Sequence, residues 1–217
     1  MPLFRKNKTG NGGLTPNRLE AFSDGVFAIA ITILILGITV PHFEGHATDK
    51  EITRGVLMLW PKVLSYIISF LVIGIFWVGH HIMFRFIKRV DRNFLWLNIL
   101  LLMTASFFPF PVELLGEYSF QTVSIMLYGS TLLIIGLIFY ATWAYASHNH
   151  RLIDKTLPDH IIHLGKKVVI MGPVVYALAL VLYFINPYIT LAIYILVPIV
   201  YILPSPIDRL IEFEQNQ

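Results

Sequence analysis

Residues 18–38 read RLEAFSDGVFAIAITILILGI, and how this stretch is read decides the fold. No charged residue stands between Gly25 and Ile38, and a helix that crosses a bilayer needs about 20 mostly apolar residues. The stretch therefore reads as a membrane span. Ser23 and Asp24 sit a short way inside the boundary set by Arg18. An ionisable side chain inside a span is costly and faces protein or water, with a partner. The question is what Asp24 faces.

The rest of the chain agrees with a membrane protein. Of its 217 residues 56% are hydrophobic and 13% are charged, about half the ~25% usual in soluble domains. Mean hydropathy is +0.71. Cysteine is absent, which excludes disulfides, thiolate metal sites and a cysteine nucleophile. The sequence pI near 9.1 invites a nucleic-acid reading, but the basic residues gather at helix ends, which is a topology signal. No nucleic-acid partner is expected.

Six apolar segments are long enough to be read as spans: residues 18–40, 53–87, 93–115, 122–147, 168–185 and 187–203. The second exceeds the bilayer thickness, so part of it projects or tilts. Pro109 and Pro111 bend or end the third, Asn186-Pro187 makes a tight turn between the last two, and Pro198 lies inside the sixth. With the N-terminus cytosolic, only Lys50, Arg54 and Lys62 of the 16 lysines and arginines fall on the outer side. The fold expected is an all-α integral membrane protein with six transmembrane helices and both termini cytosolic. Residues 1–17, with their TGNGG run, read as a disordered cytosolic N-terminus, 18–204 as one membrane domain and 205–217 as a cytosolic tail. The first apolar run is too long for a signal peptide, and no A-x-A-like site follows it.

Helical residues advance by about 100° each. With Arg18 at zero, Phe22, Gly25, Ile29, Thr32, Ile33 and Leu36 fall within roughly 60° of it, on one stripe. Ser23 falls at about 140° and Asp24 at about 240°, both off that stripe. Depth narrows the partners of this polar spot. At 1.5 Å per residue Asp24 lies roughly 9 Å inside Arg18, His80 and His81 roughly 6–8 Å inside Arg85, and Asn98 roughly 9 Å inside Arg92. Trp77 stands one turn before His81 on the same face. An acid, two imidazoles, an amide and an indole thus meet at one level, as an interhelical polar network of Asp24, Trp77, His80, His81 and Asn98 with Ser23 as a further donor. Adjacent histidines point about 100° apart and no Glu-x-x-His pair completes a carboxylate site, so no metal is expected.

These residues carry a resemblance. Arg18-x-x-x-Phe22-Ser23-Asp24 at the entry to the first span is similar to the R-x3-F-S-D signature of the transmembrane protein 175 family of potassium channels. FWVGHH at residues 76–81, LNILLL around Asn98 and PFP at residues 109–111 resemble that family in the same order. The resemblance implies a potassium-selective leak-type channel of the single-repeat prokaryotic kind, a multi-pass protein of the plasma (inner) membrane that assembles as a homotetramer. It implies a central pore lined by the first helix of each copy, with no carbonyl filter loop. The narrowest point would be a ring of aliphatic side chains with a threonine layer for selectivity. Carried over by distance from the motif, those roles fall on Ile29, Thr32, Ile33 and Leu36, residues that the wheel places on one stripe. Arg18 is expected to set the electrostatics of the inner mouth or to cap the polar layer. The partners implied are a second, third and fourth copy of the chain, the lipid bilayer and permeant K+, with no cofactor.

Two other classes compete. A secondary transporter for a small cation or a proton-coupled solute often shows inverted repeats and broken mid-membrane helices, and neither is visible. An intramembrane enzyme lacks its usual marks here: a cysteine nucleophile, an HExxH motif and paired mid-membrane aspartates are all missing. The chain is not read as an enzyme. The loop holding His148, His150, His160 and His163 reads as a solvated cytosolic connection.

Overall fold

The computed structural model describes residues 15–43 and 45–202, and within them it is built from helices. The expected tails at 1–17 and 205–217 lie almost entirely outside the described residues. Helix α1 spans Pro16–Ile33 and tightens into a 3-10 turn at Leu34–Gly37. Proline suits its first turn, because the N–H it lacks has no helical partner there.

Helix α2 (Asp49–Met58) and helix α3 (Trp60–Phe86) replace the single second span expected over residues 53–87. The cause is Pro61: it has no N–H to give the Leu57 carbonyl and its ring crowds that turn, so the helix breaks at Leu59. The start of α2 is fixed by a capping box. The Thr48 hydroxyl takes the Glu51 N–H at 3.4 Å while the Glu51 carboxylate takes the Thr48 N–H at 2.9 Å.

Helix α4 (Arg92–Phe107) and helix α5 (Pro109–Glu117) divide at Phe108, as Pro109 and Pro111 imply. Helix α6 covers Thr122–Ser147, the range expected from hydropathy. Helix α7 (Asp159–Leu182) begins nine residues before the span expected at 168–185, entered from the extended Pro158. His160 and His163 therefore stand on its first turns rather than in a loop, while His148 and His150 occupy a short 3-10 turn after α6. Helix α8 is Pro187–Ile202.

Five of these units are long and apolar enough to cross a membrane: Pro16–Gly37, Trp60–Phe86, Arg92–Glu117, Thr122–His150 and Asp159–Leu182. The described part of helix α8 has 16 residues, about 24 Å at 1.5 Å each, against a hydrocarbon core of ~30 Å.

Helix α3 is touched by α1, α5 and α8. Helix α6 packs on α4, α5 and, most extensively, α7. Glycines permit that closeness. A methyl on Gly136 would meet Pro173 at 2.7 Å, and one on Gly165 would meet the Trp143 ring at 2.8 Å. Helix α1 lies at the rim against α3 and α4. On the side of the bundle where α3 ends, the Lys88 and Arg89 N–H groups donate to the Leu152 carbonyl at 2.8 and 3.1 Å. Asp91 caps α4 through the Phe94 N–H at 2.9 Å and takes the Tyr145 hydroxyl and Arg151 at 2.8 and 3.1 Å. The two connections are thereby tied together.

Candidate functional site: an open stripe and a polar clamp on the first helix

Helix α1 has three sides. Leu19, Ser23, Phe27, Ala30 and Leu34 are buried, and on the wheel they centre at about 140° from Arg18. This side packs into the bundle; Phe27 is 1% exposed. The opposite side is bare. Ile29 is 60% exposed and Leu36 70%, and Phe22, Gly25, Thr32 and Ile33 are exposed with them. The stripe read from the sequence is thus the uncovered face of α1. Thr32 donates its hydroxyl proton back to the Ala28 and Ile29 carbonyls at 2.9 and 3.0 Å. Its proton is thereby committed within the helix, and the oxygen keeps lone pairs turned outwards, able to accept but not to donate.

The polar residues of α1 form two layers, one at Ser23 on the buried side and one at Glu20 and Asp24 on a third side. The deeper layer is fully buried and directional. Asn98 on α4 donates its amide N–H to Ser23 Oγ at 2.9 Å, and Ser23 donates to the Leu19 carbonyl at 2.8 Å. The Asn98 oxygen is therefore the acceptor for His80 Nε2 at 3.0 Å, which assigns the proton to Nε2. His80 Nδ1 is then a bare lone pair, buried and without a partner. The ring lies between Phe84, with centroids 4.3 Å apart, and Phe27, at 5.5 Å.

The shallower layer is a ladder between α1 and α3. Trp77 Nε1 donates to Asp24 Oδ1 at 2.9 Å, and His81 Nδ1 meets Glu20 Oε1 at 3.0 Å. Glu20 and Asp24 are four apart on α1, and Trp77 and His81 four apart on α3, so two antiparallel helices present matching turns. The Trp77 and His81 rings stack with centroids 6.0 Å apart, and Arg85 donates to His81 Nε2 at 3.2 Å.

Within the network expected at this level, neither imidazole nor the Asn98 amide bonds to Asp24. Its direct partner is the indole of Trp77, because Asp24 at about 240° looks to α3, whereas Ser23 at about 140° looks to α4. Glu20, which takes His81, was not among the residues singled out from the sequence. It could have been found from its position one helical turn before Asp24, on the same side. Arg18 is exposed at the N-terminal end of the bare side.

Comparison with known proteins bears on this geometry. Residues 18–109, which hold both polar layers and the whole stripe, match the family described as endosomal/lysosomal potassium channel TMEM175. A potassium channel from Chamaesiphon minutus is 37% identical over 87% of this chain and 94% of its own length. One from Streptomyces collinus is 36% identical over 85% of this chain and 90% of its own. The crystal structure of a lysosomal potassium-selective channel TMEM175 homolog from Chamaesiphon minutus superposes with a TM-score of 0.75, at 34% identity over 87% of this chain and 96% of that one. The helical order, the paired layers on α1 and relatives alike along nearly their full length lead to one conclusion: this chain belongs to the TMEM175 family.

Proposed function

We propose that this chain is a potassium channel of a prokaryotic plasma membrane, in which the bare stripe of α1 lines a central pore between four copies. Six spans, with α8 as the sixth, leave both termini on the cytosolic side in this reading. The observation that carries it is the division of α1: one side is sealed into the bundle while Ile29, Thr32, Ile33 and Leu36 stay uncovered opposite. Gathered on a four-fold axis, these aliphatic side chains form a constriction that blocks ions by excluding water, and tilting or rotating α1 lets water in. Potassium sheds hydration more readily than sodium, so partial dehydration there favours it. The outward lone pairs of Thr32 supply weak oxygen contacts, and no rigid carbonyl cage is needed. The polar layers hold α1 at its Arg18 end and so aim the stripe.

The test is potassium flux into liposomes holding the purified protein, compared with sodium flux and with the variants Ile29→Asn and Leu36→Asn. The parent should pass potassium in preference to sodium without a counter-ion, and each variant should change the conductance several-fold. Parent-like currents in both variants would remove these residues from the constriction.

A further inference from the structure

The far end of the stripe has a neighbour that the constriction does not use. We infer that Glu113 is a cation-concentrating residue at the outer mouth of the pore, a second determinant of conductance beyond the stripe itself. The inference rests on the reading of α1 as pore-lining.

Four observations lead to it. Glu113, on α5, lines an open cleft of about 400 Å³ together with Ile33, Leu36 and Gly37 of the first helix and Ser106 of α4. Two stripe residues thus share a wall with a carboxylate. The approach is close: a methyl on Gly37 would lie 3.4 Å from Glu113 Cγ and 3.8 Å from its carboxyl carbon. Gly37 follows directly after Leu36, the outermost member of the stripe, so the charge lies beside the end of the proposed pore. Glu113 is exposed, and among the described residues no hydrogen bond or ion pair engages it. Its neighbour one turn on, Glu117, is by contrast paired with Lys62. One acid at this end is thus neutralised and the other is open to a mobile cation. The first helix also ends here, at Gly37, so the negative end of its dipole lies on the same side of the bundle.

Rings of carboxylates at a pore mouth raise the local cation concentration. For four carboxylates about 10 Å from the axis in water, Coulomb attraction with Debye screening enriches a monovalent cation about threefold at 0.1 M salt and about sevenfold at 0.01 M. At 1 M, where the screening length is about 3 Å, the enrichment falls below about 1.2-fold. Conductance carried inward from that side scales with this concentration, whereas outward current does not.

The experiment measures unitary inward and outward potassium conductance in planar bilayers at 0.01, 0.1 and 1 M KCl for the parent, Glu113→Gln, Glu113→Asp and Leu36→Asn. Glu113→Gln should lose inward conductance about sevenfold, about threefold and hardly at all across the three concentrations, with outward current much less affected. Glu113→Asp keeps the charge and should stay within about twofold of the parent. If Leu36→Asn alters conductance but Glu113→Gln matches the parent at 0.01 M, the role of Glu113 is overturned and the pore reading stands. If neither variant differs from the parent, the pore reading fails and takes the inference with it. A loss in Glu113→Gln that is equal at all three concentrations, or equal in both directions, points to a structural change and also overturns the role.

Discussion

Replacing Asn98 by leucine tests whether the buried layer holds three helices together. The side chains are similar in size, so the change removes hydrogen bonds more than it opens space. Two bonds are lost, from His80 Nε2 and to Ser23 Oγ. Interhelical bonds in membranes average about 0.6 kcal/mol and reach about 1.7, so the pair is worth roughly 1–3 kcal/mol. The loss is unevenly shared. Ser23 keeps its donor bond to the Leu19 carbonyl and gives up only an acceptor contact. His80 is left with a buried N–H and no acceptor, beside an Nδ1 that already has no partner. An orphaned buried donor costs about 1–3 kcal/mol by itself, so most of the damage is expected at His80.

That asymmetry makes a double-mutant cycle decisive. Replacing His80 by phenylalanine removes the orphan and puts a ring of similar shape between Phe27 and Phe84. Removing both partners of a buried bond is nearly neutral where removing one is not. The pair His80→Phe with Asn98→Leu should therefore recover most of the loss, with a coupling energy of about 1 kcal/mol or more. Unfolding of the purified protein by titrated SDS in lipid micelles gives the four free energies. Costs for the two single variants that simply add, within about 0.5 kcal/mol, would show that His80 and Asn98 do not act on each other and would refute the directional relay.

Two further predictions concern the charged residues. Asn in place of Asp24 still offers an oxygen to the Trp77 indole, so Asp24→Asn should assemble almost as well as the parent, whereas Asp24→Leu and Trp77→Phe should both lose stability by about 1 kcal/mol; size-exclusion profiles on heating check this, and equal damage from Asn and Leu would mean that the charge, not the bond, matters. Partial burial pushes the Asp91 carboxyl upwards, but the Phe94 N–H, the Tyr145 hydroxyl and Arg151 outweigh it and hold the group below the ordinary carboxylate range. A value lowered on folding contributes stability that is complete above the unfolded value of about 3.9 and is lost as pH falls through the folded one. Asp91→Asn should therefore be less stable than the parent at pH 7, with the gap closing below about pH 4; a gap as wide at pH 3 as at pH 7 would sink this account.

Much of the fold was legible because hydropathy and proline are strong local signals. The range of α6 and the break at Pro109 follow from them directly. The division of the second segment was missed because the apolar run from Val56 to Trp60 carries across the break, although Pro61 and the Thr48-x-x-Glu51 box were both visible. The early start of α7 was missed for the opposite reason: Asp159, His160 and His163 make its first turns polar, and a hydropathy window ignores a helix that extends beyond the bilayer. Within the site, depth put the polar residues at one level but could not pair them. Pairing depends on the angle between helices. Only with α3 and α4 in place does Ser23 fall to Asn98 and Asp24 to Trp77.

That pairing has a mechanical consequence. Every interhelical hydrogen bond from an α1 side chain among the described residues arises at Glu20, Ser23 or Asp24, all near the Arg18 end. Thr32 uses its hydroxyl proton within its own helix, and from there to Gly37 the side that faces the bundle is held by the buried Leu34 and by packing without side-chain hydrogen bonds to another helix among the described residues. Apolar contacts are non-directional and tolerate sliding, whereas bonds of about 3 Å do not. The first helix is thus pinned at one end and held only by packing at the other. From Ser23 to Leu36 the lever is roughly 20 Å at 1.5 Å per residue, so a tilt of about 5° about the pinned end moves Leu36 by roughly 1.7 Å and Phe22 hardly at all. In the proposed assembly of four copies, a displacement of that size would change the width of the aliphatic ring by more than a water radius, which is the scale on which a pore wets or dries. The acid that began as an anomaly in an oily helix therefore belongs to the fixed end of a lever whose free end carries Leu36, the outermost residue of the proposed constriction.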